Sequence, residues 1–509
     1  MMMRFFLHHK NRPDFDTYGH LYIGMKVRES KSLWRGILTD IAMPDGVRQK
    51  RHVQPALWNY FFASVLNRPD WKDFQWAINP LIEIFALCIY ALLLQKFDVS
   101  PQVIALTVLC YLTTPALFTA KSRGPRLNAL SPRLMGEVAC CFLAFGVVTE
   151  NSDNFGWLTL VFISAFYVFA ASKFSYQVVI LVFVPCLAYH QNWLSLLAIG
   201  LALGTVGLWS KGQFFVGFFD HLCRLKIRAL ATWRDEGFDL SNFKSRQRLD
   251  FSNGIKEFLK SFEIFIRDKP IFLFFYFPSL PLLLCGFLFF PSDGLPAHFE
   301  KSMDLTLFAL GIYVLVCTKY FYFIGESERY IQAIGIIPIY AFVESFLTLE
   351  QPQWIFLHIT YGLLFLLVEW LFIFLGRKSL KDSTISNKKS SILNDEEKII
   401  DFLRARKNLV VGCYPYHALG AWRVMLETEC KTVFPFTSGD EFQKFFYAKY
   451  GAYPNFDLMK INALINDLGL NCIVFNDIHN YSAFSADNAS LRWSEAKLGL
   501  ERHWVVVLV

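Results

Sequence analysis

The sequence predicts a polytopic α-helical membrane protein of about ten membrane helices that ends in a soluble α/β domain. Three observations predict it. The chain has a mean hydropathy of +0.33. Of its 509 residues, 54% are hydrophobic and 18% charged, where soluble domains carry nearer a quarter charged. The apolar residues are gathered into runs of membrane-spanning length, and strand-like and helix-like segments alternate after the last run.

The runs cover residues 77–96, 101–120, 134–149, 157–172, 174–190, 193–209, 270–290, 305–323, 330–347 and 354–375. Each is close to the roughly 20 mostly apolar residues that cross a hydrocarbon core. They divide the chain into an N-terminal polar segment at 1–76, a multi-helix membrane domain at 77–376 with a long loop at 211–269, a Ser/Lys-rich linker at 377–395 and a C-terminal domain at 396–509. In that last domain NLVVGCY, KTVFPF, LNCIVFND and WVVVLV read as strands. HALGAWRVMLETE, GDEFQKFFYAKYG and DLMKINALINDLG read as helices. The alternation implies a mostly parallel sheet covered by helices.

Several function classes are excluded. The net charge of +7 is spread among interspersed acids, which argues against a nucleic-acid partner. Neither GxGxxG nor GxxxxGK[ST] occurs, so nothing supports a nucleotide site. Seven of the eleven cysteines (Cys88, Cys110, Cys140, Cys141, Cys186, Cys285 and Cys317) lie in apolar runs, and no CxxC pair occurs. They read as small buried hydrophobes rather than disulfides or zinc ligands. The opening MMMRFFLHH is too short for a cleavable signal peptide.

Two polar clusters carry candidate chemistry. The first is RPDFDTYGHLYI at 12–23. On a helix Asp16 and His20 share one face, and such a pair can serve as base and orienter or as metal ligands. Asp14 points the same way as Asp16 if the backbone there is extended. The plainer reading is an ordinary helix N-cap at the surface. The second cluster is KSRGPRLNALSPRLMGE, with Lys121, Arg123, Arg126 and Arg133 followed by Glu137 inside the next apolar run. A charge at membrane depth costs about 3 kcal/mol on insertion scales, which makes Glu137 a functional candidate unless it reaches the interface. Arginine forks suit phosphate oxygens, although bases also gather in cytoplasmic loops for topological reasons. Glu344 and Glu369, inside later runs, are what an ion or proton path needs.

The early D-T-Y-G-H cluster, the basic second loop with an acid after it, the long later loop and the α/β tail together resemble the GT-C superfamily of polytopic membrane glycosyltransferases. The stretch FLRARKNLVVGCYPYHALGAWRVMLETECKTVFPFTSGDEFQKFFYAKYG is similar to the extracytoplasmic domain of those enzymes. The resemblance implies a polyprenyl-phosphate-linked sugar as donor, a glycan or lipid as acceptor and membrane lipids as surroundings. It implies Asp16 as catalytic base or metal ligand, with Asp14 as fallback and His20 beside it. Glu137 would be a second acid sharing a divalent metal, Mg or Mn, and Lys121, Arg123, Arg126 and Arg133 would hold the donor phosphate. It further implies a bacterial inner membrane with the C-terminal domain outside the cytoplasm. The family's usual first membrane helix is expected to be missing from the sequence as given. The positive-inside rule opposes that orientation, because the basic segments share one face. Two other classes stay open: a transporter or flippase of a lipid-linked precursor acting through Glu344 or Glu369, and a non-catalytic scaffold whose tail recruits a partner.

Overall fold

The computed structural model describes residues 15–508, except 31–35, 38–39, 43–50, 53–56, 67–71, 73–74, 97, 118–131, 149–154, 235–274, 290–296, 318–320, 322–323, 325–326, 383, 407, 415–418, 434–448, 451–456, 489–490, 497 and 501–502. In chain order α1 (Phe15–Glu29), a short antiparallel pair β1 (Gly36–Ile37) and β2 (Arg51–His52), and α2 (Leu57–Val65) come first. The apolar runs follow as α3 (Ile78–Lys96), α4 (Pro101–Thr113), α5 (Pro132–Val148), α6 (Phe155–Ala171), α7 (Lys173–Val178), α8 (Val184–Tyr189) and α9 (Trp193–Trp209). After α10 (Gln213–Arg234) come α11 (Ser279–Phe289), α12 (Ala297–Val316), α13 (Glu328–Gln332), α14 (Ile336–Thr348) and α15 (Gln353–Asp382). The tail holds α16 (Thr384–Arg404), β3 (Val410–Tyr414), α17 (Ala421–Glu427), β4 (Lys431–Thr432), α18 (Ile461–Leu468), β5 (Cys472–Phe475), α19 (Ile478–Asp487), β6 (Trp493–Glu495) and β7 (Trp504–Leu508).

The chain forms two compact units. One comprises 69–214 and 228–372 together with 1–12; the other comprises 13–68, 215–227 and 373–509.

In the first unit several helices turn small or polar residues inward alongside apolar ones and carry large apolar residues on their outer faces. Helix α9 buries Ser195, Ala198, Ala202 and Gly207, while Leu197, Leu201 and Leu208 are exposed. Helix α15 buries Ile355, His358, Ile359 and Leu366 and exposes Phe356, Leu357, Leu363, Leu364 and Leu367. Phe85 on α3 is 68% exposed and Leu208 is 83% exposed. So much contiguous outward apolar surface suits hydrocarbon, and small residues at the contacts are how helices pack in lipid. Gly362 shows this directly: a Cβ there would lie 2.0 Å from the Thr113 carbonyl oxygen. His358 is buried and its Nε2 lies 3.2 Å from the Cys110 carbonyl and 3.3 Å from Thr114 Oγ1.

The helices are shorter than about ten full spans require. Among the described residues, Ile78–Lys96 alone is long and apolar enough to cross a membrane, and Trp193–Trp209 joined to Gln213–Cys223 also qualifies if that bent pair is one span. The other apolar helices, such as Pro101–Thr113 and Ile336–Thr348, are of 10–17 residues. Local chemistry ends them early. Helix α4 stops at Thr113, where Pro115 opens a 3₁₀ turn. The run at 330–347 is split by the turn after Gln332. The run at 174–190 is one continuous helix with a π segment at Val179–Phe183, just before Pro185 removes a backbone donor.

The second unit is a three-layer α/β/α body with strand order β4-β3-β5-β7-β6. β4, β3 and β5 are parallel, whereas β7 is antiparallel to both β5 and β6. The sheet is therefore mixed rather than mostly parallel, because the eight residues between β6 and β7 are too few for a crossover. One face is covered by α18 and α19 through Ile461, Leu464, Phe484, Ile473, Phe475 and Val506. The other is covered by α16 and α17 through Ile399, Leu403, Val424, Val411, Cys472 and Val505. Asp395 and His503, both buried, meet at 3.3 Å and tie α16 to the start of β7. The predicted helix GDEFQKFFYAKYG lies largely outside the described residues.

The N-terminal segment is built into this unit. The Thr432 amide donates to the Asp40 carbonyl at 2.8 Å and the Ala42 amide donates to the Thr432 carbonyl at 2.9 Å, so Ile41 bridges β4 in parallel. Helix α1 packs against α17, with Tyr22 and Trp422 rings 5.7 Å apart. It packs against α2 as well, where a Cβ on Gly24 would sit 2.0 Å from the Asn59 carbonyl oxygen.

Candidate functional site

The first unit contains a polar seam at the start of α5. Pro132 opens that helix, where its missing N–H costs nothing. Arg133, Gly136, Glu137 and Cys140 follow at spacings that share one face. A Cβ on Gly136 would lie 1.9 Å from Ser175 Oγ, so α5 and α7 approach at backbone distance. Cys140 Sγ donates to the Ser175 carbonyl at 3.8 Å, and Cys141 Sγ donates to the Ala333 carbonyl at 3.3 Å. The second contact brings in the turn after α13. There the Tyr330 ring meets Phe174 edge-on at 5.3 Å and the Arg329 guanidinium lies 5.1 Å from the same Phe174 ring. Gln332 Nε2 donates to the Ala116 carbonyl at 2.9 Å. Ser327 Oγ donates to Glu328 Oε2 at 3.4 Å and accepts from Cys317 Sγ at 3.3 Å.

Glu137 is fully buried and Glu328 nearly so, while Arg133, Lys173 and Arg329 are half-buried. Ser175 Oγ, Tyr330 Oη and Gln332 Oε1 are buried with no hydrogen-bond partner among the described residues. Buried polar atoms are paired in the great majority of cases, so three such atoms in one seam need a water or a bound group to complete them. The seam thus offers cations able to hold an anion, hydroxyl and amide groups able to take hydrogen bonds, and a carboxylate able to accept a proton.

Of the residues the sequence put forward, Arg133 and Glu137 lie in this seam. Lys121, Arg123, Arg126 and Asp14 lie outside the described residues. Asp16 stands in the first turn of α1, with its side chain outside the description, and half-buried His20 is one turn on. Asp16 and His20 belong to the second unit, Arg133 and Glu137 to the first. The DTYGH cluster is helical, and Thr17, Tyr18 and Gly19 are buried. Gly19 allows close approach: a Cβ there would be 3.0 Å from the Trp422 indole nitrogen. The Tyr18 ring lies under the Arg423 guanidinium at 5.7 Å. Burial pushes the Tyr18 hydroxyl well above its usual range, against the pull of Arg423. Arg423 also pairs with Glu396 at 2.7 Å, Glu397 at 2.5 Å and Glu427 at 3.4 Å. Much of this cluster is therefore packing that seats α1.

Among the described residues no group of three or more His, Cys, Asp or Glu side chains is placed to hold a metal. No step is assigned to a metal.

Sequence reasoning missed Lys173, Arg329 and Glu328. A signal was present. Arg133, Lys173 and Arg329 each directly precede the third, fifth or ninth apolar run. Lys173 passed unremarked because a single base between two runs looks like a turn.

No protein-family model matches the chain, and no curated protein sequence does. Among solved structures, the fold has a likeness to the crystal structure of ArnT from Cupriavidus metallidurans bound to undecaprenyl phosphate. The identity is 12% and the TM-score 0.43, over 100% of this chain and 96% of that one. A likeness of that size assigns no role to any residue here.

Proposed function

We propose that the chain is a membrane glycosyltransferase that moves a sugar from a polyprenyl-phosphate-linked donor to a glycan or lipid acceptor outside the cytoplasm. The observation that carries this reading is Glu137: a fully buried carboxylate at the start of α5, in a unit where Arg133, Lys173 and Arg329 are half-buried and whose outer surface carries many large apolar side chains. That combination suits a ligand with a lipid tail, a phosphate and hydroxyl groups. In the proposed step the acceptor hydroxyl oxygen bonds to the anomeric carbon as the bond from that carbon to the phosphate oxygen breaks. A carboxylate takes the hydroxyl proton, and the bases stabilise the charge left on the phosphate.

Glu137 is the carboxylate favoured by burial; Asp16, with Asp14 and His20, is the one favoured by the family resemblance. The two are separable by substitution. Glu137→Gln should lower sugar transfer from membrane donor lipid by about 10²-fold or more while the protein stays inserted and abundant. Asp16→Asn should do the same if the resemblance carries over. Full activity in both variants would sink the reading.

One observation favours a second reading. Glu344 Oε2, on the otherwise buried α14, has no hydrogen-bond partner among the described residues. A transporter of a lipid-linked precursor would need such a group. That reading predicts loss of substrate flux in Glu344→Gln and tolerance at Glu137.

A further inference from the structure

Two helices of the sheet-bearing unit face outward with aromatic and aliphatic side chains. Helix α2 buries Trp58, Asn59, Phe62 and Ala63, while Tyr60, Phe61 and Val65 are 39%, 47% and 43% exposed. In α10, Phe215, Val216, Phe219 and Leu222 are 38%, 52%, 61% and 43% exposed. These positions recur at helical spacing, so each helix has a continuous apolar outer face. Elsewhere in the same unit the pattern is the opposite. Helix α18 buries its apolar Ile461, Leu464 and Leu468, as a helix on a water-soluble domain does.

Charge says what covers the two outward faces. On α10, Arg224, Lys226, Arg228 and Arg234 follow Leu222 with no acid among them. Lys226 is exposed. Phe and Tyr on one face with lysine and arginine at its end is the make-up of a helix lying in a bilayer interface. There the rings reach the acyl boundary and the bases meet anionic headgroups. A partner protein would leave the run of bases on α10 unexplained, and water would leave seven large apolar side chains unexplained.

We infer that α2 and the 215–227 stretch of α10 form a bilayer-contact face through which the sheet-bearing unit rests on anionic phospholipid. This goes beyond the transfer reaction and does not depend on it.

The test uses full-length protein in lipid nanodiscs with p-benzoylphenylalanine incorporated in place of Phe61 or of Phe219. The control carries it in place of Met459, which is 71% exposed next to α18. After illumination, mass spectrometry should find phospholipid adducts at positions 61 and 219 and none above background at 459. Replacing phosphatidylglycerol by phosphatidylcholine should cut the adducts several-fold. Adducts to a second copy of the chain, or no lipid adducts at 61 and 219, would overturn the inference. Lipid adducts that ignore headgroup charge would overturn the anionic assignment.

Discussion

Gly136 and Glu137 are adjacent in sequence and do different work. Glycine lets α5 meet α7 at backbone distance, and the glutamate is buried in the seam this contact closes. Gly136→Ala should push Ser175 aside and cost about 1–3 kcal/mol through overpacking, read as a lower unfolding temperature in detergent. Arg423 is the matching residue of the other unit. It is 8% exposed and paired with three glutamates. Arg423→Met leaves buried Glu427 without that partner and should destabilise the sheet-bearing unit by about 3 kcal/mol, measured by hydrogen exchange of β3 and β5. At this scale the sequence was readable where one residue broke a local rule. An acid inside an apolar run marked Glu137. Arg329 broke no such rule, and its meaning comes from a tertiary contact with Phe174 that spacing does not encode. Asp16 drew attention by its chemistry, while the buried neighbours Thr17 to Gly19 are explained by Trp422, about 400 residues away in sequence.

At the scale of elements, the predicted tail strands around Val410, Cys472 and Trp504 form the centre of the sheet, because buried apolar runs bounded by turn residues are a strong local signal. The single bridge at Ile41 left no such signal. It has a consequence for folding: 373–509 expressed alone lacks both the α1 cover and the strand-edge partner. That fragment should aggregate or remain without protected amides, and co-expression of 13–68 should restore protection. Cys413 adds a pH dependence. Burial between β3 and its covering helices raises its thiol from 9.0 to about 12. The folded thiol therefore keeps its proton over a range in which the unfolded one has lost it. The associated stability is fully present below about pH 9 and is lost as pH rises through about 12. The unit should unfold progressively more easily above pH 9. In native protein Cys413, which is buried, should resist maleimide and react once the unit is unfolded.

For the molecule as a whole, the apolar runs were legible and their lengths as helices were not. Proline, glycine and polar breaks shorten them in ways that a hydropathy window averages over. Residues 13–68 and 373–509 fold into one unit, which requires both segments to be on one side of any membrane the chain crosses. Compartment-sensitive reporters inserted near residue 13 and after Val509 should therefore agree. Agreement on the outside supports the transferase orientation, agreement on the inside removes it, and disagreement would contradict the second unit itself. The central claim, that the Glu137 seam receives a lipid-linked phosphate, is tested most directly by the lipids that full-length protein retains on purification. Mass spectrometry should find polyprenyl phosphate or its glycosylated form with the wild-type chain and lose it in the Arg133→Ala, Arg329→Ala double variant. Wild-type protein that retains no polyprenyl phosphate, or a double variant that retains it undiminished, would contradict the account.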